Sequence, residues 1–458
     1  MNYPLWVVPY LGGTWVVGII SIIHVYISHF AVGGGIFLAL AEELAYKRND
    51  DRMYAFLKQH SRFFLLLTTV AGAVTGVGIW FSISLVNPDG IHSLIQSFTL
   101  AWAEEYLFFV AELATAFAYY YTWDRLPREK HLLLARFYAV LSVFTLVIIN
   151  GILTFMLTPG KWLTTHNWMD GVFNPTYFPS LCIRLLIMLA IAGMYALITS
   201  SMIKESKFRT VMVRYAAKWL LPIFMLGPLA TIWFLTQVPQ ASIDTIFTGI
   251  QSSGVGNFSV LTRALYLSLV LSGTILLFAF FGPYLNPKAF TFRIAVLFLI
   301  CGLAATASTE WMREMLRKPY VVYNYLYSNG LHKADLESVT RNGYLKQSKW
   351  AGAIAKECTA ESDQGEAIFR FQCMSCHTLD GYRSMRRLLG SRDEDAIANF
   401  LNILRSTDPK KNNYSGIMPP LAANDAELRC LAKYLAGVNA EQRKLSEQLG
   451  GLPLKTTN

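Results

Sequence analysis

Apolar runs of membrane-crossing length, separated by short polar stretches, fill the first 320 positions of the chain. The runs lie near 14–45, 61–86, 98–122, 133–157, 178–202, 212–236, 259–284 and 290–313. Each is long enough to cross a hydrocarbon layer about 30 Å thick. The pattern predicts eight transmembrane helices. Near residue 321 it turns polar, and 321–362 has no clear period; 363–458 closes on an amphipathic helix. The expected class is therefore all-α. It comprises a polytopic membrane bundle over 1–320, an outer-face connector over 321–362 and a small helical domain over 363–458.

Composition agrees with this pattern: of 458 residues, 53% are hydrophobic and 15% charged, and the mean hydropathy is +0.36, as in a polytopic membrane protein. A net charge of +10 would suit nucleic acid, but its distribution does not. The loops after spans one, three, five and seven carry Lys47, Arg48, Arg52, Lys58 and Arg62; Arg125, Arg128, Lys130 and Arg136; Lys204, Lys207, Arg209, Arg214 and Lys218; and Lys288 and Arg293. The other three loops hold only Lys161. The positive-inside rule then puts the N-terminus outside, and eight crossings return the C-terminal region to that side. The first span has no charged leader and no small-residue cleavage site, so it reads as a retained helix.

Polar residues inside the spans are the candidate chemistry, because a charge at the bilayer centre costs about 2.5–3.5 kcal/mol and has to earn its place through a partner. Phe98–Leu126 carries Glu104, Glu105 and Glu112; at 100° per residue Glu105 and Glu112 share a face, and Glu104 addresses a different neighbour. The first span carries His24, His29 and the run Gly33-Gly34-Gly35. The histidines are either haem ligands or hydrogen-bonded packing residues. The glycines admit either a flat macrocycle or a neighbouring helix. Ser142 and Asn150 on the fourth span serve either interhelical hydrogen bonds or a proton path. Arg184 and Arg263 lie near the outer ends of the fifth and seventh spans, where they either snorkel or hold haem propionates. Cys182 reads as a small buried hydrophobe. Glu310 and Glu314 are four apart on the eighth span with Arg313 and Arg317 beside them, the spacing of helical ion pairs.

The most specific motif is Cys373-Met-Ser-Cys376-His377. Two thiols that form thioethers to haem vinyl groups, followed by an imidazole for the iron, read as c-type haem attachment. Met418 lies 41 residues after His377 and offers the second axial ligand. This predicts a class I cytochrome c domain with one covalent haem c. Cys358 and Cys430 stand either as a disulfide or as two free thiols.

With these residues laid out, positions 14–320 resemble subunit I of cytochrome bd-type oxygen reductases. His24 followed by the glycine-rich turn and Glu42 looks like the family's N-terminal haem-ligand helix. Glu104, Glu112 and Trp123-Asp124-Arg125-Leu126 stand at spacings similar to its paired carboxylates and their WDRL ending. Ser142 and Asn150-Gly151 look like its polar fourth-helix residues, and Glu314-Met-Leu-Arg317-Lys-Pro319 resembles its haem-ligating E-x-x-R-x-P segment. The resemblance implies two non-covalent high-spin haems. One is held by His24 with Glu104 near its other face, the other is ligated by Glu314, and they are haem b together with haem b or d. It also implies a proton route through Glu112 and Ser142.

The departures bear on the electron donor. Where the family places a low-spin haem ligand on the fifth helix this chain offers Ile183 or Arg184, and where it places a methionine on the seventh stands Leu265. Only Gln237–Asn257 occupies the position of the quinol-handling loop. The chain most resembles branches of the superfamily with a C-terminal cytochrome c domain and no quinol loop. The expected function is a terminal oxidase of the bacterial inner membrane, taking electrons from a periplasmic cytochrome c and reducing O2 to water. It would work with a second bd-type subunit or a larger respiratory complex. The alternatives are a non-catalytic electron-relay subunit and a quinol-linked module.

Overall fold

The structure, a computed structural model, describes residues 5–244, 260–355 and 361–448. Cys358, and with it the question of pairing with Cys430, lies outside the described residues, as does most of the segment following Gln237. The chain divides into two compact units. One comprises Ile20–Gly78 and Ile95–Arg317, the other Met1–Ile19, Ile79–Leu94 and Lys318–Asn458.

Helices account for nearly all the regular structure up to residue 316. They are α1 (Gly13–Arg48), α2 (Asp51–Leu65), α3 (Gly72–Val86), α4 (Pro88–Ser97), α5 (Thr99–Tyr121), α6 (Arg128–Phe155), α7 (Trp162–Thr165), α8 (Trp168–Val172), α9 (Tyr177–Ser201), α10 (Ser206–Lys218), α11 (Leu221–Gln237), α12 (Val260–Ala279) and α13 (Phe292–Leu316). A π-helical turn over Leu66–Ala71 joins α2 to α3 without a break. Among the described residues seven helical segments are long and apolar enough to cross a membrane, so the protein is an integral membrane protein. The expected third span, α5, is long enough at 23 residues but falls outside the seven, because three glutamates dilute its apolar run.

In the bundle unit, the Gly33-Gly34-Gly35 run serves helix packing. A Cβ on Gly33 would sit 2.1 Å from the Met188 carbonyl oxygen of α9; on Gly34, 2.8 Å from the Phe64 ring of α2; on Gly35, 2.3 Å from the Tyr138 ring of α6. Three helices thus approach α1 where it has no side chains. In lipid, where apolar burial gains little from leaving water, such close van der Waals contact holds helices together. Phe30 continues the seam, stacked on Tyr195 with ring centroids 4.0 Å apart and set edge-on to Phe64 at 5.3 Å. The helix α9 runs through the middle of this core, and most of its residues are buried.

The second unit is a small helical domain with a two-stranded sheet, β1 (Tyr320–Val322) antiparallel to β2 (Leu326–Tyr327). Its helices are α14 (Leu336–Asn342), α15 (Tyr344–Gln347), α16 (Lys349–Ala355), α17 (Glu361–Gln372), α18 (Met385–Leu389), α19 (Glu394–Leu404) and α20 (Asp425–Gln448). The terminal helix α20 crosses α17 closely: a Cβ on Gly365 would meet the Cys430 carbonyl oxygen at 2.1 Å. The core unites Ile368, Phe369, Leu389, Ile397, Leu401, Leu431 and Leu435 with Val339, Tyr344 and Ala351. The stretch expected to be a patternless connector therefore supplies core residues. Glu427 of α20 fastens it, accepting from the backbone N–H groups of Tyr344 at 2.7 Å and Leu345 at 2.8 Å.

Segments from far upstream complete this unit. The Tyr382 N–H donates to the Tyr10 carbonyl at 2.6 Å, Trp15 meets Tyr382 edge-on at 5.6 Å, and Asn87 Nδ2 donates to the Ser328 carbonyl at 3.0 Å. Only glycine fits at 381, where a Cβ would lie 1.9 Å from the Tyr10 carbonyl oxygen.

Candidate functional site

Of the three carboxylates on α5 expected to turn away from lipid, only Glu112 is buried; Glu105 is half-buried and Glu104 exposed. Glu112 accepts a hydrogen bond from the Tyr138 hydroxyl at 3.1 Å. Ser142, the partner implied for it, is fully buried and donates instead to the Ala139 carbonyl at 3.0 Å. Seven residues beyond Glu112 on α5 stands Tyr119, and seven before Tyr138 on α6 stands His131, so the two antiparallel helices present a second polar rung about 10 Å from the first.

That second rung is a buried carboxylate–imidazole pair that the sequence did not suggest. His131 Nε2 donates to the Tyr119 carbonyl at 2.9 Å, which leaves Nδ1 facing Glu42 Oε1 at 2.6 Å. Glu42 also accepts from the hydroxyls of Tyr119 at 2.8 Å and Tyr54 at 3.3 Å. Glu42 is 0% and His131 1% exposed, so neither oxygen nor ring nitrogen has water to exchange with. The pair is thus a closed hydrogen-bonded cluster of one carboxylate, one imidazole and two phenols. His131, in the polar run Arg128–His131, reads in one dimension as part of a solvated helix start; nothing local signals a partner 89 positions away.

His24 Nδ1 donates to the Gly72 carbonyl at 3.1 Å and lies 3.1 Å from Thr75 Oγ1, both on α3. This fixes the tautomer with Nε2 as the lone-pair nitrogen, the arrangement of a metal-ligating histidine. Glu314 Oε2 accepts from Arg317 Nε at 2.9 Å, and Arg317 Nη1 reaches the Met156 sulfur at 3.1 Å. One turn earlier on α13, Glu310 pairs with Arg313 at 2.8 Å and receives Arg184 from α9 at 3.8 Å. His29, 4% exposed, belongs to the same electrostatic group. Leu265 is exposed on α12.

In the smaller unit, Cys373, Met374 and Met418 pack against one core. His377 Nδ1 donates to the Arg383 carbonyl at 3.0 Å, and Arg383 holds a left-handed φ of 48°, a conformation that costs a non-glycine residue energy and tends to mark function. Nε2 of His377 is again the free lone pair. Burial keeps this imidazole below its usual pKa, with the Arg383 carbonyl opposing, and pushes the Cys373 thiol up to about 12, Cys376 adding to the effect. Two half-buried thiols three apart, a neutral imidazole with its second nitrogen tied back, and a methionine on the same core fit a thioether-linked haem. In the bundle, the orientation of His24 Nε2 and the unpartnered buried nitrogens Arg184 Nε and Arg313 Nη1 fit a ligated macrocycle with acidic substituents.

Residues 14–239 match the sequence profile of the family described as cytochrome bd terminal oxidase subunit I. Among solved structures, a chain of the bd oxidase from Geobacillus thermodenitrificans aligns with a TM-score of 0.55 at 16% identity, covering 67% of this chain and 88% of that one. At that identity the likeness is one of fold. No curated protein matches the chain.

Proposed function

We propose that the chain is the haem-bearing subunit of a terminal oxidase in the bacterial cytoplasmic membrane, which takes electrons from a periplasmic cytochrome c and reduces O2 to water. The observation that carries this reading is the family match over 14–239, the segment that holds His24, Glu104, Glu112 and Ser142. Covalent haem c in the smaller unit and two non-covalent haems in the bundle, b together with b or d, would supply the electron-transfer and oxygen-binding chemistry.

The chain's own residues take these parts. Cys373, Cys376, His377 and Met418 would hold haem c. In the bundle His24 would hold one haem through Nε2, with Glu104 on the same proposed centre, and Glu314, steadied by Arg317, would hold the other. Glu112 and Tyr138 pass protons inward from the Glu42–His131 pair, with buried Ser142 beside the route. Glu104 stands exposed among Leu100, Tyr106 and Leu107, which are exposed as well. A bare carboxylate on an apolar membrane face favours coverage by a second membrane subunit. The same exposure favours one rival reading, a relay subunit that moves electrons without binding oxygen.

The test is spectroscopic. Pyridine-haemochrome analysis of the purified protein should return one c-type and two non-covalent haems, and carbon monoxide should shift the reduced spectrum of the latter. Two non-covalent haems blind to carbon monoxide would establish the relay; no non-covalent haem would remove the oxidase reading altogether.

A further inference from the structure

We infer that Arg184 and Arg313 form a carboxylate-binding site in the membrane bundle, and that its occupant is a propionate of one of the bundle haems. The inference rests on the haem reading above and adds a binding site to it.

The argument is one of charge and unused donors. Around Glu310 stand two guanidinium groups, Arg313 at 2.8 Å and Arg184 at 3.8 Å. Two positive charges against one carboxylate leave one in excess. The neighbours do not cancel it: Glu314 is paired with its own arginine, Arg317, and His29, whose Nδ1 donates to the Val25 carbonyl at 2.5 Å, brings no negative charge. The arginine contributed by α9 is 6% exposed, so it does not snorkel to water. Each guanidinium also keeps a buried N–H without an acceptor, Nε of Arg184 and Nη1 of Arg313. Uncompensated charge and orphaned donors inside a membrane protein are both costly, and one anion removes both costs.

The chemistry of that anion follows from the donors. Planar guanidinium groups match planar carboxylates through paired N–H bonds. The cluster lies one helical turn from Glu314 on α13, so the acidic edge of a macrocycle held there would fall beside it.

The experiment is a redox titration of the full-length protein in its purified form, with the bundle haems followed separately from haem c. Removing a positive charge beside a haem favours its oxidised form, and removing a negative charge favours the reduced form. Arg184→Leu should move the midpoint of one bundle haem to more negative potential, Arg184→Lys should keep most of the wild-type value, and Glu310→Gln should move the same haem in the positive direction. The haem c midpoint should stay unchanged in all three. A structural role alone gives no such opposed signs. Bundle haems present in full with unchanged midpoints in Arg184→Leu and Glu310→Gln would overturn the inference. So would a wild-type midpoint that follows the identity of added chloride, phosphate or acetate, since an exchangeable anion would then occupy the site. Absence of bundle haems from the wild-type protein would instead strike at the oxidase reading.

Discussion

A carboxylate inside a membrane bundle keeps its place only where a donor faces it, and Glu112 has one in the Tyr138 hydroxyl. Replacing it by glutamine keeps shape and hydrogen-bonding while removing the group that releases a proton. Glu112→Gln should therefore leave the haem spectra intact and slow turnover by roughly 100-fold, the scale of a lost acid–base group, measured as oxygen consumption with a saturating reductant. Loss of a haem in this variant would make Glu112 a support for the ligand shell. The burial of Glu112 was legible because a carboxylate deep in an apolar run has to face a partner. His131 was not. Its meaning depends on Glu42, Tyr54 and Tyr119 arriving from two other helices, and no local pattern encodes that convergence. Ser142 illustrates the reverse: its position on α6 reads as a partner for Glu112, yet its hydroxyl turns back onto its own helix, as serines in membrane helices often do.

At the scale of elements, hydropathy found the helices, and the misfit at α5 has a cause: its glutamates make it a poor span by composition while its length and its packing against α6 make it part of the bundle. The short helix α4 escaped notice because it reads as a loop between spans. Its first turn carries Asp89, whose carboxyl is raised from its ordinary 3.8 to about 6 by burial, with Lys349 opposing. The folded chain binds this proton more tightly than the unfolded one. The stability that follows is complete below pH about 4 and is lost as the pH rises through about 6. Asp89→Asn should thus melt higher than the parent at pH 7.5 and level with it near pH 4, by about 1–2 kcal/mol after allowance for partial exposure. An equal difference at both pH values would show that the carboxyl contributes through packing alone.

At the scale of the molecule, the electron donor is the property to predict. Arg383, Arg386, Arg387 and Arg392 lie close in sequence beside the CxxCH motif, and Arg386 pairs with Asp380. Such a basic segment steers an acidic soluble cytochrome. Its oxidation should slow as ionic strength rises, and Cys373→Ala/Cys376→Ala should abolish it while the bundle haems stay reducible by dithionite. Quinol oxidised rapidly by that double variant would move electron input into the membrane. Division into a bundle and a helical tail was visible in composition; the makeup of the tail's compact unit was not, because Tyr10 is tied to Tyr382 through the backbone and Asn87 to Ser328 through its side-chain amide, bonds that leave no mark on hydropathy. That tie has a consequence for biogenesis. Closing contacts across more than 370 positions carries a loop entropy, so the Tyr10 segment must wait, undocked, until Tyr382 has been made. Until that strap closes the CxxCH segment stays uncovered, and on the proposed reading maturation and docking would follow one order, with the haem attached first and the Tyr10 strap closing behind it.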